Sequence, residues 1–92
     1  MTASTPALQE RGDAVRRNLM SFLEQRTKHA IAADVDLFAT GLVSSLFALE
    51  LVIHLEQSFG VTVAGPDLTL DNFRTVDAMT ALVLRLGGDD GE

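Results

Sequence analysis

The feature that most constrains this chain is one stretch, Asp36 to Phe59, reading DLFATGLVSSLFALELVIHLEQSF, in which a glycine turn and a serine pair run directly into an apolar helix. Ala48, Leu51, Val52, Leu55 and Phe59 recur at the three- and four-residue steps that set side chains on one helical face, and that face belongs in a core. Leu46, Leu49 and Ile53, with Phe47, fall on other sides of the same cylinder. The helix is thus more apolar than one buried stripe requires, and the surplus marks a docking face. Ser44 stands just before the first periodic residue, where a hydroxyl can accept from an otherwise unpaired backbone N–H. Ser45 follows in the first turn, exposed, where free N–H groups and the helix dipole favour a negative group by roughly 0.3–1 kcal/mol.

These residues carry a resemblance. Gly41-Leu42-Val43-Ser44-Ser45-Leu46 resembles the G-x-x-D-S-L signature of acyl and peptidyl carrier proteins, whose serine bears 4'-phosphopantetheine. Asp36-Leu37-Phe38 matches the family's D-x-F turn, Phe59-Gly60 its helix end, and Thr75-Val76 the opening of its last helix, so the likeness covers roughly residues 13 to 86. Ser44 departs from the pattern. It replaces an aspartate whose carboxylate helps the modifying transferase recognise its target. The longer match, G-L-V-x-S-L-F-A-L-x-L-V followed by L-D-N-F-R-T, is similar to free-standing carriers of alkoxymalonyl-type extender units in polyketide assembly.

The resemblance implies that a phosphopantetheinyl transferase, with coenzyme A and magnesium, esterifies Ser45, after which the arm's thiol holds an acyl group as a thioester. It implies a non-catalytic carrier whose partners are that transferase, acyl-loading and acyl-modifying enzymes, and a polyketide synthase acyltransferase or ketosynthase. Recognition is expected through Ser44, Leu46, Phe47, Leu49, Glu50, Ile53 and Glu56. Two alternatives stay open: a peptidyl carrier loaded with an aminoacyl group, and an unmodified helical adaptor in which the apolar stripe alone binds a partner.

Ninety-two residues suit one small domain with a single core. The absence of cysteine removes disulfides, thiolate metal sites and a cysteine nucleophile, and leaves the cytoplasm as the expected compartment. Met1 to Pro6 lacks the basic and apolar regions of a signal peptide, and no apolar run approaches the ~18 residues of a membrane span, so a soluble monomer without a membrane partner is expected. The formal charge of −6 is uneven: residues 1–28 hold five basic and three acidic side chains, whereas 34–77 hold seven acidic ones against Arg74 alone. Nucleic acid, which needs clustered Lys and Arg, is disfavoured. Basic partner proteins are the expectation for the acidic segment, with a merely solvated surface as the ordinary alternative.

The remaining chain reads as an all-α, small four-helix bundle: three longer helices and one short one. Residues 1–6 are expected to be disordered, 7–86 to form the carrier domain and 87–92 to be a mobile acidic tail. In the first helix Val15, Leu19, Phe22 and Leu23 face inward, while Arg16, Arg17, Glu24 and Gln25 face out. Its start is either Pro6 or a cap at Asp13, because Gly12 inside the longer version costs ~1 kcal/mol relative to alanine. Between Lys28 and Val43 lies a long connection anchored by Val35, Leu37 and Phe38, in which Gly41 permits a sharp turn. Gly60 ends the serine-led helix, Val61-Thr62-Val63 is extended loop, and Leu68, Leu70 and Phe73 form one helical turn that closes the bundle. Thr75 caps a last helix with Val76, Met79, Leu82, Val83 and Leu86 inward, ended by Gly87-Gly88.

Three other chemistries lack the residues or the spacing they need. Asp34 and Asp36 suggest a calcium loop, but Ala39 and Ser45 stand where the EF-hand needs glycine and glutamate. Nine helical residues separate Ser45 from His54 by about 13 Å, too far for a nucleophile and its base, and nothing brings His29 across to replace it. Glu50 and His54, four apart, could share a metal, yet no further ligand cluster accompanies them and a surface pair is the simpler reading.

Overall fold

The computed structural model describes residues 4–87, and of side chains those from Glu10 onward. Among the described residues the chain forms α1 (Ser4–Thr27), α2 (Ser45–Phe59), a 3-10 turn (Gly65–Asp67), α3 (Leu70–Phe73) and α4 (Val76–Gly87), with no strand. This is the expected all-α bundle.

α1 begins earlier than either sequence signal suggested. Ser4, Thr5 and Pro6, assigned to a disordered terminus, are helical, and Asp13 pairs with Arg16 one turn later (3.1 Å) instead of capping. Proline is tolerated there because the first N–H groups of a helix have no intrahelical acceptor in any case. Gly12 is buried where α1 lies on α4. A Cβ built there would meet Leu84 Cδ1 at 3.7 Å and Thr80 Cγ2 at 3.9 Å, ordinary van der Waals contact, so nothing in the packing demands glycine. Residues 1–3 and 88–92, the latter most of the expected tail, lie outside the described residues.

The core gathers Val15, Leu19 and Leu23 from α1, Leu51 and Leu55 from α2, Phe73 from α3, and Val76, Met79, Leu82 and Val83 from α4. α4 packs on each of the other helices. Its own ends are electrostatically satisfied, with Asp77 in the first turn and Arg85 in the last, and Thr75 Oγ1 accepts from Ala78 N at 2.9 Å as expected of a cap. Thr80, a polar residue on the inward face, is buried with its hydroxyl unpaired.

The long connection is fixed by burial and by hydrogen bonds. Leu37 is fully buried, as expected of an anchor, and Ile31 and Val43 join it although no periodicity marks them. Leu37 N donates to Arg74 O at 2.7 Å and Asp77 N to Ala33 O at 3.0 Å, which ties the loop to the α3–α4 junction. Asp36 Oδ1 accepts from Phe38 N and Ala39 N, folding the segment before Gly41 into a tight turn. Gly41 (φ 78°) and Gly60 (φ 67°) both take the left-handed conformation foreseen for them, the first turning the chain into α2 and the second ending it.

One packing expectation fails. Of Leu68, Leu70 and Phe73, only Phe73 enters the core; Leu68 and Leu70 are about half exposed. Leu68 follows the 3-10 turn and precedes α3, and within the four residues of α3 the inward position is taken by Phe73.

Candidate functional site

The two serines at the head of α2 have separate employment. Ser44 is in extended conformation (φ −96°, ψ 169°) and its Oγ accepts from Phe47 N at 3.1 Å, making it the N-cap. Ser44 O also accepts from Ala48 N. The hydroxyl of Ser45, the first helical residue, is exposed and has no hydrogen-bond partner among the described residues. With Phe47 and Ala48 satisfied, the N–H groups of Ser45 and Leu46 remain open at the helix tip. α2 has no acidic residue in its first turn, unlike α3 with Asp71 and α4 with Asp77, so the positive end of its dipole is uncompensated.

Two grooves flank that tip. On one side Ser45 lines a largely apolar cleft of about 180 Å³ with Leu49, Val52, Leu68, Leu70 and Phe73. On the other, Ser44, Gly41, Leu42, Arg26 and His29 border a wider, open depression. Apart from its chain neighbours, no atom lies within 4 Å of where a Gly41 Cβ would stand, so it is the left-handed φ and not crowding that favours glycine at this turn.

The expected recognition residues divide. Leu46 (74% exposed), Leu49 (58%) and Ile53 (52%) stand on the surface. Phe47 does not join them fully: its ring stacks on Phe22 of α1 at 6.0 Å and it packs against the core. Glu50 is in an ion pair with Arg26, whose guanidinium also lies 4.7 Å over the Phe22 ring. Glu56 is half-buried, and its Oε2 accepts from Val63 N at 2.9 Å. Arg26 and Phe22 were not anticipated at this site, because nothing local in α1 reveals which α2 residues it faces.

His54 is placed where sequence spacing excluded catalysis. It stacks on Phe22 at 3.9 Å and donates from Nε2–H to Asn18 Oδ1 at 2.6 Å, on the α1 side of the helix, while Ser45 opens onto the cleft beside α3. Burial against Phe22, reinforced by the Arg26 charge, pushes its imidazole below the ordinary histidine value. Glu50 and His54 do not pair with each other; each has its own partner from α1.

An exposed, unpartnered hydroxyl at an uncompensated helix tip is an attachment geometry, and a family model described as phosphopantetheine attachment site matches residues 13–83. The chain belongs to this family. No curated protein matches it. Phosphopantetheine carriers hold the prosthetic group covalently and pass cargo between transferases and acyl-handling enzymes, and they are generally not catalysts themselves. The residues present fit such a group: a reachable hydroxyl, two open N–H donors for a phosphate, and no carboxylate in the first turn to repel it. Among the described residues no helix is long and apolar enough to cross a membrane.

Proposed function

We propose that Ser45 is the attachment residue and that the protein is an acyl carrier of secondary-metabolite assembly, with an alkoxymalonyl-type extender unit as cargo. One observation carries the choice of residue: of two adjacent serines, Ser44 is engaged by its cap and Ser45 is not. When bound, the arm supplies a terminal thiol, which this cysteine-free chain lacks. The chain's own residues present and orient. Ser44 holds the first turn of α2 in shape, Gly41 in its left-handed conformation turns the chain into that helix, and the open N–H groups of Ser45 and Leu46 favour the phosphate on the neighbouring oxygen.

The cargo assignment is supported by the likeness of GLVSSLFALELV and LDNFRT to carriers of such extender units. The shape of the protein agrees with a short cargo. The cleft beside Ser45 is about 180 Å³ and is floored by Phe73, while Leu51, Leu55 and Met79 fill the core behind it without exposure. We place the protein in the cytoplasm as a monomer.

Intact-mass analysis after treatment with a broad-specificity phosphopantetheinyl transferase, coenzyme A and magnesium tests the attachment. Wild type and Ser44→Ala should gain one phosphopantetheine and Ser45→Ala none. An unchanged wild-type mass with several competent transferases, or a gain that persists in Ser45→Ala, overturns the assignment. Mass spectrometry of the protein isolated from its own cells then reads the cargo, and an aminoacyl group would make it a peptidyl carrier.

A further inference from the structure

The core grips α2 from its middle, not from its tip. Its fully buried residues are Leu51 and Leu55; in the first turn Phe47 is half-buried and Leu46 stands in solvent. Ser45 is placed from the other direction, by the turn that leads into the helix. Val43, two residues upstream, is buried, and its N–H donates to Leu37 O at 3.1 Å. Thr40 Oγ1 donates to the same carbonyl at 3.1 Å, and Gly41 N to Phe38 O at 3.1 Å. The chain thus leaves Leu37 and returns to it at Val43, and a side chain that steadies this 37–43 turn steadies Ser45.

Asp36 stands at the entry to the turn, and its carboxylate faces two ways. Oδ1 accepts from Phe38 N at 3.1 Å and from Ala39 N at 2.9 Å, while Oδ2 lies 3.9 Å from Arg74 Nε. Arg74, just after α3, also accepts from Leu37 N on its own carbonyl at 2.7 Å. Backbone and side chain of one residue therefore hold two adjacent positions at the root of the turn. Arg74 Nε is buried and has no hydrogen-bond partner among the described residues. An N–H sealed from water without an acceptor is costly, and a shift of about 1 Å brings Asp36 Oδ2 to ordinary hydrogen-bond distance from it. The other acid within reach, Asp71 (Oδ1 3.3 Å from Nη2), is 82% exposed and lies on the same short helix, so pairing with it ties nothing to the turn.

We propose that Arg74 is a positioning residue for the attachment reaction: through Asp36 it holds the 37–43 turn against the α3–α4 junction and so sets where Ser45 Oγ stands for esterification. This role deepens the assignment of Ser45 as the attachment residue and rests on it. Displacing a reacting atom costs rate, whereas loss of a contact with the transferase costs affinity, so the two parameters separate the readings.

The test measures kcat and KM for the protein as substrate of a broad-specificity phosphopantetheinyl transferase at saturating coenzyme A. Arg74→Gln should lower kcat about threefold or more with KM within about twofold of wild type. Arg74→Lys, which keeps a charge facing Asp36, should recover most of the loss, and Asp71→Asn should match wild type. Asp36→Asn should be impaired, and Arg74→Gln added to it should cost little more, because both changes remove one contact. The unmodified protein gives an independent readout: amide hydrogen exchange at Thr40, Gly41 and Val43 should quicken about threefold in Arg74→Gln, the scale of one surface ion pair, while that of Leu82 inside α4 stays unchanged. A raised KM at unchanged kcat overturns the proposal by making Arg74 a contact of the transferase. An Asp71→Asn variant as slow as Arg74→Gln, effects of Asp36→Asn and Arg74→Gln that multiply, or exchange that quickens equally in α4 also overturns it. Each of these leaves the Ser45 assignment standing, whereas an unmodified wild type, or modification that persists in Ser45→Ala, overturns both.

Discussion

The serine pair at the head of α2 offers a double dissociation. In Ser44→Ala the 3.1 Å bond from Phe47 N to Ser44 Oγ is lost and that N–H turns to water. Because the site is exposed, the penalty is that of an ordinary cap, about 1 kcal/mol within a range of roughly 0.5–2. For a domain of 92 residues this lowers Tm by about 4–8 °C per kcal/mol. Ser45→Ala removes a hydroxyl with no partner and installs a better helix former, so stability should be unchanged or rise by a few tenths of a kcal/mol. Modification should behave oppositely, surviving Ser44→Ala and vanishing in Ser45→Ala. Ser44→Asp completes the series: it retains a capping oxygen and adds a carboxylate to a first turn that has none, for a gain of roughly 0.3–1 kcal/mol at low salt. Urea titration followed by circular dichroism, paired with intact mass, reads both properties on the same samples. If Ser45→Ala lost 1 kcal/mol or more while Ser44→Ala lost nothing, the roles of the two serines would be reversed and the reasoning from cap geometry would fail.

Other consequences follow from the packing. Leu51→Ala opens a cavity beneath α2 where the side chain is fully buried, and unfolding titrations should show a loss of ~2–5 kcal/mol. Gly12→Ala should stabilise by roughly 0.5–1 kcal/mol, since a methyl there meets α4 at contact distance and removes a helix-interior glycine; a loss would show that α1 and α4 approach more closely than described. His54 sets a pH dependence. Its folded-state pKa is depressed, so the unfolded chain binds the proton more readily and stability is full above the unfolded value near 6.5. It is then lost as pH falls through the lower folded value, and His54→Gln should flatten the profile of denaturation midpoint against pH on the acid side of about 6.5. An unaltered slope in that variant assigns the acid sensitivity to other groups.

Much of the architecture was legible because its causes are local. Apolar spacing in α2 and α4, the caps at Ser44 and Thr75, and the left-handed glycines at 41 and 60 each depend on residues within a turn or two of one another. The candidate attachment site was legible for the same reason: it is a loop end, a cap and one exposed first-turn hydroxyl in consecutive positions. The start of α1 was not, because Gly12 and Asp13 carry breaker and cap signals that its contact with α4 overrides.

By itself, then, the sequence determined where α2 and α4 lie and which serine stands at the head of α2. What only the tertiary structure decided is the character of the surface around that serine. Arg26 reaches Glu50 from a different helix, Phe22 shelters Phe47, Val63 N engages Glu56, and Leu70 at the start of the short α3 stays outside while Phe73 goes in. These are pairings between segments distant in the chain, and a charge or an apolar side chain becomes a docking feature only if no such partner claims it.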